Sequence, residues 1–212
     1  GGVGSYGRYG EATDGTAGEP YGMANMPDQL GSGGGSGGGA GNAGGGAVIL
    51  DVVGEITVEG TLSANGARSS YRGGGGSGGS VWIKAGEIRG KGLIAADGGG
   101  TGANGYSGGG GGGRIAFETA VNAFTGSIRA QGKPSSYFER GRHGTFNFKS
   151  SPTQDLVIRS DIALSPGTNW LFKSLTVTNG AVFEVQSVPG TATELYTNEV
   201  ASRLRILGDV TI

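Results

Sequence analysis

Side chains that could carry out chemistry are few in this sequence and widely spaced. His143 is the single histidine of the 212 residues and cysteine is absent. These two facts exclude multi-histidine and thiolate metal sites. They also mean that a Ser/His/Asp catalytic triad has no second histidine to choose as its base. His143 itself, within GRHGTFNFK, is expected on a turn before a strand. No glycine run is followed by the Gly-Lys-Ser/Thr of a phosphate-binding loop. The sequence therefore predicts a protein that is not an enzyme.

Carboxylates are the next candidates for a site. Asp51, Asp97, Asp155 and Asp161 could pair for acid–base catalysis or bind calcium, as carboxylates do in β-helical polysaccharide lyases. They are scattered along the chain, and the glycine–aspartate nonapeptide that binds calcium between solenoid turns is missing. We therefore expect no cofactor, with calcium left open, and a β-helical polysaccharide-active enzyme is the remote alternative.

One stretch combines basic and aromatic side chains, between Lys133 and Lys149. Such a surface could bind a sugar or an anionic polymer, but the pattern favours a solvated turn followed by a buried strand. Trp82 and Trp170 could form a sugar platform, but they too are expected to be packing residues. The candidate ligand contacts are Tyr137, Arg140, Arg142 and Trp170.

Composition narrows the class of protein. Glycine accounts for 50 residues and proline for only 6, which is not the composition of collagen. The formal net charge of −1 gives no reason to expect a nucleic acid or a membrane surface as partner. The longest aliphatic run, residues 48–50, is far shorter than the ~20 residues that span a bilayer. These features favour a scaffold.

Three blocks repeat at offsets of 32 to 34 residues, starting at Ala47, Val81 and Arg114. Each predicts a strand of about five residues, a short turn, a second strand that in the first block runs from Ile56 to Ala64, and a closing Ala-polar-Gly. Alignment produces columns of like residues, as parallel in-register rungs of a β-solenoid require on their inner wall. The apolar columns are Leu62/Ile94/Ile128, Ala64/Ala96/Ala130, Gly60/Gly92/Gly126, Val48/Val81/Ile115 and Leu50/Ile83/Phe117.

Charged residues form further columns on the outward side. Asp51, Lys84 and Glu118 alternate in sign, and Glu59 with Lys91 repeats the pattern one strand later. In register these charges would form a ladder that fixes strand alignment, each pair contributing about 0.2–1 kcal/mol. Coincidence among solvated residues is the alternative.

Between the blocks, glycine recurs at every third position, as from Gly99 to Gly111. That is the period of a polyproline II helix, whose N–H and C=O groups must bind neighbouring helices. Flexible linkers are the alternative, since glycine and serine chains behave as coils. The recurrence of the runs at one point of the repeat favours ordered polyglycine II bundles.

The chain is expected to divide into three parts. A glycine-rich N-terminal layer occupies residues 1–46, and three solenoid repeats occupy 47–132, with strands in 47–66, 81–98 and 114–132. A plainer solenoid, uncapped at its C-terminus, occupies 133–212. Its inner wall is expected to contain Leu175, Val177, Val182, Val185, Leu204, Ile206, Val210 and Ile212.

The segments GGGGSGGSVWIKAGEIRGKGLIAADGG, GGGGGGRIAF and LTVTNGAVFEV resemble glycine-rich β-helical repeat regions of very large bacterial surface and secreted proteins. The glycine runs are also similar to those of phage tail-fibre adhesins and, more weakly, of glycine-rich ice-binding proteins. The resemblance implies an all-β parallel solenoid at the cell surface or outside the cell. We expect a structural fibre module whose partner is itself; a surface adhesin that binds glycan is the alternative.

Overall fold

The computed structural model describes residues 21–36, 41–69, 73–102, 107–135, 141–148, 151–158, 162–164, 169–177, 183–185, 203–206 and 208–211. These residues form an all-β protein of thirteen strands, and no helix occurs among them. No helix in the described ranges could therefore cross a bilayer. The strands are β1 (Ala47–Thr57), β2 (Thr61–Ser63), β3 (Ser80–Gly90), β4 (Leu93–Ala95), β5 (Arg114–Phe124), β6 (Ser127–Arg129), β7 (Thr145–Phe148), β8 (Ser151–Ile158), β9 (Ile162–Leu164), β10 (Asn169–Val177), β11 (Phe183–Val185), β12 (Arg203–Ile206) and β13 (Val210–Thr211).

The strands form three parallel sheets. A six-stranded sheet has the order β1-β3-β5-β7-β9-β11, and a three-stranded sheet has the order β2-β4-β6. In the four-stranded sheet, β10 pairs with β8 on one side and with β12 and β13 on the other. Successive repeats thus contribute neighbouring strands, because a parallel neighbour requires the chain to return to the same end of the sheet.

The register follows the columns that the sequence predicts. Leu62 lies beside Ile94 and Ile94 beside Ile128, while Val81 separates Val48 from Ile115 in the long strands. Ile83, Ile88, Ile94 and Ile115 are fully buried, and burial of such a side chain contributes about 1.5–3 kcal/mol. The stacked apolar columns are therefore the core of the protein.

The first strand of each block is longer than predicted. β1, β3 and β5 each have 11 residues, so the expected turn after five residues is wrong. The glycine that suggests the turn lies in a bulge instead: the register shifts between Val52 and Glu55, where β1 has one residue more than β3.

The predicted second strand is also divided differently. The run from Ile56 to Ala64 is not one strand, because a bend separates β1 from β2. In the next repeat this corner contains Gly90, with φ of 111°, a conformation that glycine adopts without steric cost. A Cβ on Gly90 would also lie 2.7 Å from the carbonyl carbon of Val58. The corner therefore requires glycine in that repeat.

The glycine segments are hydrogen-bonded to one another. Residues 73–79 are buried. From residue 74 onwards, successive N–H groups donate hydrogen bonds to three neighbouring segments in turn, so that residues three apart donate to the same segment. The bonds are Gly74 to Gly35 (2.8 Å) and Ser77 to Ser32 (2.9 Å), Gly75 to Gly108 (3.0 Å) and Gly78 to Gly111 (2.9 Å), and Gly76 to Ala67 (3.0 Å) and Gly79 to Ala64 (2.8 Å). The period of three in the sequence thus corresponds to three hydrogen-bonding directions.

Close approach of backbones explains why these positions are glycine. Positive φ among the described glycines occurs at Gly22 and Gly90 only, so most of the run does not use glycine's conformational freedom. A Cβ on Gly110 would overlap the carbonyl oxygen of Gly76 and lie 2.8 Å from its carbonyl carbon. Any larger residue would force the segments apart.

The C-terminal part follows the predicted inner wall only in part. Leu175 is buried in the core and Val177 packs against it. Val210 is 53% exposed, so its predicted burial is wrong; it lies in β13, at the margin of its sheet. Val182 and Ile212 lie outside the described residues, as do the side chains of Val185, Leu204 and Ile206.

Candidate functional site

The most organised polar site surrounds Asp97, two residues after β4. Its side chain is only 4% exposed. Asp97 is the polar residue of the Ala-polar-Gly that closes each repeat, and Asn65 and Gln131 occupy the same place in the repeats on either side. The chain leaves the sheet for the glycine segments at this point, where Asp97 is buried, Gln131 is half-buried and Asn65 is exposed.

These side chains bind the backbone of the following repeat. Asn65 Oδ1 accepts a hydrogen bond from Asp97 N at 2.7 Å, and Asp97 Oδ1 accepts one from Gln131 N at 2.9 Å. A buried N–H that lacked such an acceptor would destabilise the fold by about 1–3 kcal/mol. The column therefore ties each repeat to the next.

Two cationic side chains neutralise the buried carboxylate. Lys133 Nζ donates a hydrogen bond to Asp97 Oδ2 at 3.2 Å and another to Gln131 Oε1 at 3.2 Å. Arg129 Nε lies 2.7 Å from the same oxygen as an ion pair, without the alignment of a hydrogen bond. Pairing of this kind is what permits a charge to be buried. The polar contacts of Asp97 are thus made with its own chain. The charged groups nearest to Asp97 are the cations Arg129 and Lys133, and not the second carboxylate that paired acid–base catalysis requires.

The outward charges of the first sheet lie in register. Asp51 lies beside Lys84 and Lys84 beside Glu118. Lys84 Nζ is 3.5 Å from Asp51 Oδ2, with side-chain exposures of 34% and 72%, and it also lies 4.2 Å from the centre of the Trp82 ring. An ion pair this exposed contributes at most about 1 kcal/mol. Among the described ion pairs, Lys84 bonds to Asp51 rather than to Glu118.

The second charge pair and an unpredicted cluster lie nearby. Glu59 and Lys91 are both exposed, and no ion pair joins them within the described ranges. Arg89 lies 2.8 Å from Glu87 and 3.0 Å from Glu55. The register places these two glutamates beside each other, and Arg89 offsets their repulsion. Its hydrogen bond to Glu87, with the charge of Glu55, raises the pKa of Arg89.

The candidate ligand contacts are not brought together in the described structure. Tyr137 and Arg140 lie outside the described residues, and Trp170 is placed only by its backbone, in β10 beside Leu204. Arg142 is exposed, and its carbonyl accepts a hydrogen bond from Gly112 N at 2.8 Å. His143 lies just before β7, where its Nδ1 accepts a hydrogen bond from Gly132 N at 3.4 Å. Residues 141–144 thus belong to the glycine layer, and the buried strand expected after the turn is β7, whose Phe146 and Phe148 lie in the core.

Two of the four aspartates considered as site residues are not placed as side chains. Asp155 lies in β8 beside Ser174, with its side chain outside the described part of the chain, and Asp161 lies outside it entirely. Among the described residues, no three His, Cys, Asp or Glu side chains form a group that could hold a metal ion.

The N-terminal segment 21–30 covers the start of the long strands. Ser80 Oγ donates to Gln29 O at 2.6 Å, and Arg114 Nε donates to Tyr21 O at 3.1 Å while its Nη1 donates to Thr145 Oγ1 at 3.1 Å. Burial lowers the pKa of Arg114. An open groove of about 570 Å³ lies between this segment and the strands, lined by Asn25, Met26, Phe117, Glu118, Thr119, Ala120, Asn147 and Phe148.

Comparisons with family models, with curated proteins and with solved structures each found no match. The Asp97 column and the outward charges join one repeat to the next, and the contacts that they make are within the chain.

Proposed function

We propose that this protein is a non-catalytic structural module of an extracellular or cell-surface fibre. In this proposal the strands are the rungs of a closed parallel β-solenoid, and the glycine segments are polyglycine II bundles packed against it. The observation that carries the proposal is the threefold hydrogen bonding of residues 74–79, whose N–H groups bind three neighbouring segments in rotation.

Such bonding supports a mechanical role. Polyproline II helices lack internal hydrogen bonds, so a segment held by three neighbours has its backbone groups satisfied without any side chain. Ordering each residue opposes folding by about 1–2 kcal/mol. A flexible spacer functions without being ordered, so its sequence need not offset this entropy loss. A bundle of this kind is stiff and resists proteases, because proteases require a locally unfolded chain.

Assembly with other copies of the same chain completes the proposal. β1 lies at one margin of the six-stranded sheet and β12 with β13 at one margin of the four-stranded sheet. Free strand edges bind further strands readily. The partner we propose is therefore the protein itself.

Electron microscopy of the concentrated protein tests the proposal. We expect unbranched filaments by negative stain, and fibre diffraction with a reflection near ~4.8 Å along the axis, the spacing of stacked strands. Monomers that persist at high concentration would contradict it. Specific retention on a glycan array that is lost in Tyr137→Ala or Trp170→Ala would instead favour a binding module, and cleavage of a polysaccharide would overturn the non-catalytic role.

Amide exchange tests the polyglycine II bundles separately. The N–H groups of Gly110, Gly112 and Gly113 are hydrogen-bonded to Gly99, Arg142 and Ala96, so we expect them to exchange slowly. Exchange of these amides at the intrinsic rate of a coil would show that the bundles are not formed in solution.

A further inference from the structure

We infer that the edge of β1 that has no partner among the described strands binds residues 203–211 of a second copy of this chain, in parallel and in register. The inference rests on the proposed function, because it specifies the contact through which the fibre would grow.

The sequence of β1 recurs in the last strands of the chain. Residues 201–212, ASRLRILGDVTI, match residues 47–58, AVILDVVGEITV, without a gap. Four positions are identical, including Gly208 with Gly54 and Thr211 with Thr57, and five are conservative replacements. In this fold like residues stack on like, as Ile94 does on Leu62. A segment with the β1 sequence is therefore suited to lie against β1.

Both surfaces are strand edges, and the C-terminal one consists of two short strands, β12 with 4 residues and β13 with 2. β1 is the first strand in the order of its sheet, with 11 residues. β12 and β13 pair with one side of β10, whose other side pairs with β8. Within the described residues, each of the two edges thus has one side without a paired strand. β11, the other marginal strand of the six-stranded sheet, has only 3 residues and would cover little of β1.

Charge determines which edge can bind. Arg205 occupies the position of Asp51 in the match. In-register pairing would place it beside Asp51, whose side chain is 72% exposed, as the register already places Lys84 on the opposite side. Two β1 edges would instead bring carboxylates of Asp51 and Glu55 together, and like charges on neighbouring strands repel. Charge therefore favours pairing of β1 with the C-terminal edge of a second copy over pairing of β1 with a second β1.

The bulge of β1 adds a steric condition. The extra residue of β1 lies between Val52 and Glu55, and Val53 within it is fully exposed. A regular strand would have to shift its register to follow this edge. Residues 206–209 repeat the length and the glycine of the bulge, so this segment can follow it without a shift.

The contact joins different surfaces of the two copies. Within the described residues each copy offers one unpaired β1 edge and one unpaired C-terminal edge, so the contact is head-to-tail and continues into a filament when its rotation does not close into a ring.

Charge reversal tests the pairing. We expect Asp51→Lys and Arg205→Glu each to raise the protein concentration needed for assembly about tenfold or more, since like charges then meet. An equimolar mixture of the two variants should assemble as the original protein does, because every contact in an alternating filament again joins opposite charges. Sedimentation velocity measures all three samples, and a mixture that behaves like the separate variants would overturn the inference.

Cysteine trapping tests the register, and the chain has no cysteine of its own. Thr57→Cys with Thr211→Cys should give a ladder of covalent multimers on oxidation, because neighbouring strands bring Cα atoms within the ~4.4–6.8 Å that a disulfide requires. Thr176→Cys with Thr211→Cys is the matched control. These two residues are already register partners, so the control should close within one chain.

The outcomes separate the two proposals. Filaments that form in the original protein, resist both charge reversals and give no multimer ladder would refute the β1 contact while leaving the fibre intact. Monomers throughout, with only the control disulfide formed, would refute both.

Discussion

Replacing Gly76 with alanine tests the close packing of the glycine segments by a single methyl group. The added Cβ would overlap the carbonyl oxygen of Ala43 and lie 2.6 Å from its carbonyl carbon and 2.9 Å from Gly44 N. Carbon atoms pack best at about 3.5–4.0 Å, so the two backbones must separate by about 1 Å. The atoms in the way are main-chain atoms, which cannot rotate aside.

The size of the effect follows from the bonds that cross this contact. One runs directly, from Gly45 N to Ser77 O (2.8 Å), and two run through Ala67, from Ala67 N to Ala43 O (2.9 Å) and from Gly76 N to Ala67 O (3.0 Å). Loss of two at about 1 kcal/mol each, with overpacking of about 1–3 kcal/mol, exceeds the roughly 0.4–1 kcal/mol that alanine contributes by restricting the unfolded chain. We expect a net destabilisation of about 3 kcal/mol.

Gly46→Ala is the matched control. Gly46 belongs to the same network, its carbonyl accepting the Ser80 N–H at 3.0 Å, but an added Cβ would meet nothing within 4 Å. We expect this variant to be neutral or more stable by up to about 1 kcal/mol.

Thermal unfolding followed by circular dichroism measures both variants. For a chain of this size about 3 kcal/mol corresponds to a fall in Tm of roughly 6–12 °C. A Gly76→Ala protein that melts within about 1 °C of Gly46→Ala would refute the close packing, since both replacements add the same methyl group to the same layer.

Three further changes test the polar contacts. Asp97→Ala should destabilise the protein by about 2–4 kcal/mol, because it leaves a buried N–H and two cations without their acceptor; Asp97→Asn, which keeps an acceptor oxygen, should destabilise it less in urea denaturation. Lys84→Glu should lower the stability by no more than about 1 kcal/mol at low salt, and adding Asp51→Lys and Glu118→Lys should restore it; a loss that persists in the triple variant would contradict the ladder. Arg114→Ala should release segment 21–30 to limited proteolysis without changing the far-ultraviolet circular dichroism, and equal cleavage of both proteins would show that Arg114 does not hold the segment.

The register of the long strands was predictable because parallel stacking repeats nearly the same offset along the chain. Asp51 and Lys84 are 33 residues apart, the same step joins the apolar residues beside them in these two strands, and the next step, from Lys84 to Glu118, is one residue longer. Strand length was not predictable in this way. Gly54 and Gly86 suggest turns, but in the structure the first lies at a bulge, and a Cβ on the second would lie 3.0 Å from Val53 O. Local sequence does not distinguish a glycine at a turn from a glycine that allows the backbone of a neighbouring strand to approach closely.

The Asp97 site was predictable in its position but not in its partners. The Ala-polar-Gly ending places Asn65, Asp97 and Gln131 in one column. The two cations lie two residues before and two residues after Gln131, so they reach Asp97 only when the next repeat is stacked on it. The role of these two cations depends on tertiary packing, so the sequence alone indicates only an isolated carboxylate at Asp97.

The backbone bonding between glycine segments has a consequence for how this chain can evolve. Each segment is recognised by the main chain of its neighbours, through bonds such as Gly75 N to Gly108 O and Gly110 N to Gly99 O. Main-chain groups are the same in every repeat, so a duplicated repeat would find its partners without new complementary side chains. Length can therefore change through gain or loss of whole repeats by recombination, whereas insertion of a single residue would shift every third glycine out of place.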